Sequence, residues 1–179
     1  TALKNAIIQY INDFAGTDHR FALVTFPGDT NSFVPWLLRT DPPLTDVNGF
    51  ISALNTVNCL SGGLEPSFDT MRDLSLSIDP VGIGWRNDAY PYIIMITDED
   101  AQTITNVNEI QVSNLTNNCS IGSCVAGDRI ETYVITYATY FWEWDSIVNF
   151  ELERLYEIMP ADTNRYVDIL RSIFTNICI

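Results

Sequence analysis

Apolar residues recur at helical spacing from the first positions of the chain. In TALKNAIIQYINDFAG, Leu3, Ala6/Ile7, Tyr10/Ile11 and Phe14 share one face, and Gly16 ends the run. RFALVTFPGD (20–29) is a short, almost continuously apolar stretch that predicts a strand, closed by Pro27-Gly28. SFVPWLLRTD (32–41) predicts a second extended piece, where Pro35 points to a sheet edge because proline cannot donate to a ladder. Asp46 is placed to cap a helix running to about Val57. SGGLEPSFDTMRDLSLS (61–77) is a glycine turn opening a helix with Phe68, Met71 and Leu74/Leu76 inward. YIIMIT (92–97) is the kind of apolar run found in strands covered on both faces. A weaker helix over about 105–116 and a cysteine-bearing loop lead to RIETYVITYAT (129–139), a further buried strand. ERLYEIM (153–159) predicts a last short strand. DTNRYVDILRSIFTNI (162–177) predicts an amphipathic helix with Tyr166, Ile169/Leu170, Ile173/Phe174 and Ile177 on its core face.

Strands alternating with helices predict an α/β fold: a doubly wound, mainly parallel sheet with helices on both faces, in one domain. No internal repeat, linker or low-complexity run interrupts it. The first helix raises a question of topology. In such a fold a helix of this kind is the crossover leaving a strand, and no strand precedes it within residues 1–179. The expectation is therefore an amino-terminally incomplete domain whose central first strand comes from outside these residues. An unfilled gap between two buried strands would expose ladder groups and apolar faces, so FALVTF and YIIMIT are not expected to pair directly.

Composition narrows the function classes. Nine basic residues against 23 acidic ones give a formal charge of −14, which repels phosphate backbones and argues against nucleic acid as a partner. No stretch reaches the length of a membrane span. The cysteines are Cys59, Cys119, Cys124 and Cys178; they form no CxxC or Cys/His pattern, and His19 is the one histidine, which disfavours a zinc site. Cys119 and Cys124 sit in the loop NCSIGSC and suit a small disulfide, with Cys59 and Cys178 left unassigned. Asn114-Leu-Thr and Asn118-Cys-Ser are sequons in the same region. Together these favour an oxidising, extracellular or cell-surface setting.

The candidate chemistry is acidic. The strand in YIIMITDED runs into Asp98, Glu99 and Asp100, which can be a solvated strand end, a cation site or an acid/base pair. Glu65 stands before Pro66 near a helix start, where the dipole favours an acid whatever else it does. A hydrolase would need two of Glu65, Asp98, Glu99 and Asp100 as acid and base, yet no phosphate-binding glycine loop and no nucleophile motif near His19 accompanies them. YFWEWDS (140–146) gathers Phe141, Trp142 and Trp144 either as an edge of the core or as a partner or sugar surface.

Two segments, SGGLEPSFDTM and WRNDAYPYIIMITDED, resemble the glycine turn and the WRN-to-strand-to-aspartate passage of the integrin β-subunit I-like domain. With the order of elements along nearly the whole chain, they resemble the von Willebrand factor type A domain. That resemblance implies a divalent cation, Mg²⁺ first and Mn²⁺ or Ca²⁺ otherwise, in a metal-ion-dependent adhesion site at the top of the sheet. It carries Glu65 onto the family's loop ligand and Asp98 onto its strand-end ligand. The family's D-x-S-x-S or D-x-T-x-S motif does not follow a first strand in residues 1–179; the one such string, Asp73-Leu74-Ser75-Leu76-Ser77, lies inside the helix predicted over 61–77, so the site these residues supply is partial. The implied function is non-enzymatic: an extracellular module binding other proteins in an adhesion, matrix or surface-filament protein. The alternatives are an assembly subunit with a degenerate site and a strand donated by a neighbour, and a carboxylate-dependent α/β hydrolase.

Overall fold

The structure, a computed structural model, describes residues 2–28, 34–58, 64–76, 83–86, 89–117, 130–158 and 162–177. Helix α1 (Ala2–Asn12) buries Ala6, Tyr10 and Ile11 and is followed by a turn that buries Phe14. Strands β1 (Val24–Thr25) and β2 (Leu37–Leu38) form an antiparallel pair, lengthened by a bridge between Phe21 and Thr45. Helix α2 (Val47–Thr56) begins where the Asp46 carboxylate accepts from the Gly49 N–H at 2.9 Å, the capping expected of an Asp before an apolar-periodic run.

Helix α3 (Ser67–Leu76) turns Phe68, Met71 and Leu74 inward. It precedes β3 (Tyr92–Ile96), α4 (Glu109–Asn117) and β4 (Glu131–Thr136). The expected start of α4 near 105 is not where it begins. Asn108 and Gln111 exchange side-chain-to-backbone hydrogen bonds at 2.9 and 3.0 Å, a reciprocal cap that sets the first turn after Asn108. After β4 come a 3-10 turn at Ala138–Tyr140, the short α5 (Phe141–Trp144), a second 3-10 turn at Leu152–Arg154, β5 (Leu155–Glu157) and α6 (Thr163–Ile177).

Strands β3, β4 and β5 make a parallel three-stranded sheet in that order, with Tyr92 opposite Glu131 and Val134 opposite Leu155. The chain is thus mixed α/β. Its regular sheet is smaller than the periodicity predicts, because only Val24–Thr25 of the 20–29 stretch pairs as a strand. Helices cover both faces of the sheet layer. One core gathers α1, α2 and α6 around Tyr133 and Ile135, with Tyr92, Ile94 and Ile96 against it. The other gathers α3, α4 and α5 around Ile93, Met95, Val134 and Leu155.

The period-2 alternation of β3 is what lets one strand serve both cores. On α6, Tyr166, Val167, Ile169, Leu170 and Ile173 are all buried. At about 1.5–3 kcal/mol per fully buried large apolar side chain, that face alone holds α6 down.

Candidate functional site

The carboxyl end of β3 is where the predicted acids meet. Parallel pairing places the ends of β3 and β4 side by side, and the Thr97 N–H extends the ladder to Ile135 O at 3.1 Å. The chain leaves the sheet there. Thr97 is buried, whereas Asp98 and Glu99 are exposed. The Thr97 hydroxyl accepts from the Glu99 N–H at 3.2 Å and donates to Glu65 Oε2 at 3.4 Å. Residues 32 apart in sequence are thereby brought to one spot.

Gln102 does most of the local stitching. Its side-chain oxygen accepts from the Glu65 N–H at 2.7 Å, and its side-chain amide donates to Asp100 Oδ1 at 2.6 Å. Its backbone N–H reaches Ser67 Oγ at 3.2 Å, and its carbonyl accepts from Phe68 N at 3.1 Å. Beneath this, the Asp69 side chain is fully buried and accepts from the Ile104 N–H at 2.7 Å, the Thr105 N–H at 3.2 Å and the Thr105 hydroxyl. The loop after β3 is therefore clamped to the start of α3, which holds Glu65 beside Asp98.

The electrostatics of the spot are one-sided. Burial raises the Glu65 carboxyl above its usual pKa, the charges of Asp98 and Glu99 raise it further, and the Thr97 hydroxyl partly offsets them. Glu65, Asp98 and Glu99 make no ion pair among the described residues. A second carboxylate, Glu143 from α5, accepts from the Ala101 N–H on the other side of the same loop. Burial raises its pKa, the Ala101 N–H offsets part of that, and the charges of Asp100 and Glu109 add to the rise.

Glu65 and Asp98, the two residues that the resemblance names as ligands, lie at this one spot. Glu143 was hidden in a stretch notable for its aromatics, and Gln102 and Thr97 carried no motif. Glu99 is exposed, yet its charge still acts on Glu65.

Carboxylate and hydroxyl oxygens are the donors that hard divalent cations prefer, so Glu65, Asp98 and Thr97 suit such an ion in kind. They do not suit it in number. Among the described residues no group of three or more His, Cys, Asp or Glu side chains is arranged to hold a metal ion.

Cys59, Cys119, Cys124, Cys178 and Asn118 lie outside the described residues, as do Gly62 and Gly63. Asn114 is exposed on α4, while its sequon partner Thr116 is fully buried and bonded back to Val112 O and Ser113 O. His19 sits in an exposed turn with Nδ1 2.8 Å from Thr17 Oγ1. The aromatic stretch divides: Trp144 is buried against Phe68 in the second core, Phe141 is half-buried, and Trp142 is 68% exposed. Among the described residues no helix is long and apolar enough to cross a membrane.

No family model matches the chain, and no curated protein matches it significantly.

Proposed function

We propose that the chain is an extracellular protein-binding domain of the von Willebrand factor A type, built on a doubly wound sheet and acting without catalysis. Glu65 and Asp98 are its contribution to a divalent-cation site at the carboxyl end of β3. Ligands from outside residues 1–179 complete that site, and an acidic side chain of the bound protein takes the ion's open position. The observation that supports this reading is the convergence of Glu65 and Asp98 at the end of a parallel strand with, among the described residues, no cationic side chain paired to either. Burial first and then the charges of Asp98 and Glu99 raise the Glu65 pKa there, and a bound cation would offset them.

Two carboxylates alone hold a cation weakly. Titration of the chain with Mn²⁺ in the millimolar range is expected to broaden the amide resonances of Glu65 and Thr97–Glu99 first, and Asp98→Asn is expected to remove that selectivity. Uniform broadening, or the same pattern in Asp98→Asn, would refute the cation reading.

The assembly-subunit alternative is kept because, among the described residues, β3 lies at the edge of its sheet. It predicts partner binding that is indifferent to EDTA, whereas the cation reading predicts binding that EDTA abolishes.

A further inference from the structure

The carboxyl ends of the parallel strands carry aromatic side chains that the cores do not use. β4 ends at Thr136, which lies opposite Glu157 of β5, and its carbonyl accepts from the Ile158 N–H at 2.8 Å. On its other side the Thr97 N–H reaches Ile135 O. Residues 97–101, 137–143 and 157–158 therefore lie at one end of the sheet. The turn Ala138–Tyr140 and helix α5 place three aromatics there: Tyr137 is 37% exposed, Tyr140 is half-buried and Trp142 is 68% exposed. The Tyr137 and Tyr140 rings stand 6.5 Å apart, tilted by 60°. Trp144 is fully buried against Phe68, so α5 is anchored without Trp142. Amphipathic aromatics grouped on the surface of an anchored turn are the kind that meet other molecules.

The charges around this rim point to its occupant. Residues 97–102, 136–143 and 155–158 contain Asp98, Glu99, Asp100, Glu143 and Glu157 and no Lys, Arg or His. Among the described residues none of these acids pairs with a basic side chain. Glu157 is exposed and, by the alternation of β5, lies on the Leu155 face, where α5 also packs. Glu143 follows Trp142 in α5 and is half-buried, with Oε2 accepting from the Ala101 N–H. The fold itself shows what such a set of groups holds. At the opposite end of the sheet the Arg154 guanidinium lies 5.5 Å from the centre of the Tyr133 ring while pairing with Glu131 and Glu151. One guanidinium there takes an aromatic face and two carboxylates. The rim presents aromatic faces beside carboxylates in the same way, and among the described residues no guanidinium of this chain pairs with them.

We propose that the rim of Tyr137, Tyr140 and Trp142 is a docking surface for an arginine-bearing segment of another protein. The guanidinium stacks on the exposed aromatic faces, and Glu157 and Glu143 accept its N–H groups. Arginine suits the rim better than lysine because its planar fork stacks and pairs at the same time. The formal charge of −14 attracts a basic segment before contact, over a screening distance of about 10 Å at 0.1 M salt. An uncharged sugar would meet the aromatic faces, but nothing in this charge pattern selects it. The inference goes beyond the cation site: it uses neither Glu65 nor Asp98, needs no metal, and calls for a partner side chain of the opposite charge.

The test titrates the isotope-labelled chain, at low salt and in EDTA, with the peptide acetyl-Gly-Arg-Gly-Arg-Gly-amide. The readouts are the Trp142 indole resonance and the amide resonances of Tyr137–Glu143 and Glu157. A saturable shift centred on these resonances is expected. The affinity is expected to fall about tenfold in the Tyr137→Ala/Trp142→Ala double variant and about threefold in Glu157→Gln. Glu157→Gln alters no packed group, so it keeps the test decisive should the double variant lose stability. Shifts spread evenly over other acidic surfaces, or an affinity unchanged in Glu157→Gln and in the double variant, would overturn the docking surface. So would a response of the same resonances to chitotriose and none to the peptide. Equal affinity for the lysine counterpart of the peptide would overturn the assignment to arginine. Binding that appears only when Mn²⁺ replaces EDTA would overturn the independence from the cation site, whereas failure of the cation site leaves this titration unchanged.

Discussion

Asp69→Ala tests whether the loop after β3 is held in place by one buried carboxylate. The Asp69 side chain is fully buried and accepts from two backbone N–H groups and one hydroxyl, with Arg72 Nη1 3.9 Å away. Alanine removes every acceptor. Each buried donor left unsatisfied costs about 1–3 kcal/mol. The loop can open to recover water, which favours the low end, so the total loss is about 3 kcal/mol. With a urea m-value of about 2 kcal/mol/M for a chain of this size, the midpoint falls by about 1.5 M. Asp69→Asn keeps one acceptor and is expected to lose about half as much.

The pH dependence carries a sign. Burial pushes the Asp69 carboxyl up, but the hydrogen bonds from Thr105, Ile104 and Thr103 outweigh it, so the folded pKa lies below the ordinary 3.8. Its contribution is therefore present above the unfolded value and lost as pH falls through the folded one. The gap between wild type and Asp69→Asn should be level from about pH 5 to 8 and shrink below about pH 4. A midpoint shift under about 0.3 M, or a gap that widens in acid, would refute the reasoning. The same variant is expected to move the amide resonances of Thr97–Gln102, because Gln102 and Asp69 anchor one loop.

Glu65 carries the opposite sign. Its folded pKa is raised, so the stability linked to it is present below the ordinary 4.5 and is lost as pH rises through the folded value. Glu65→Gln should accordingly be more stable than wild type at pH 7, by less than about 1 kcal/mol after solvent screening, and equal to it in urea melts at about pH 4. A destabilised Glu65→Gln at pH 7 would count against a strained pair. Trp144→Ala is expected to cost about 3–5 kcal/mol and Trp142→Ala to stay within about 0.5 kcal/mol in chemical denaturation, since only the first empties a packed site. Comparable losses for the two would contradict their placement.

What could be read from the chain was local. The 3.6-residue periodicity of α1, α2 and α6, the Asp46 cap and the apolar run of β3 each depend on neighbours a few positions away, and each stands where its pattern places it. The start of α4 missed by a few residues because the Asn108–Gln111 exchange, not apolar spacing, sets its first turn. The length of β1 was overestimated for a different reason. A strand's extent is fixed by what pairs with it, and among the described residues segment 21–26 has a partner on one edge only.

The acids follow the same division. That a strand ends in Asp98, Glu99 and Asp100, and that Glu65 follows a glycine turn, is visible in the order of residues. That Glu65 lies against Thr97 and within reach of the charges of Asp98 and Glu99, with Glu143 behind the loop, required the parallel pairing of β3 with β4 and the anchoring of the loop by Gln102 and Asp69. Sequence by itself determined which segments were strands and helices and which ends were acidic, because those are short-range properties of polypeptide chemistry. Only the tertiary structure decided which acids share a field, which tryptophan is buried and which strands pair. Each of those depends on distances between residues far apart along the chain.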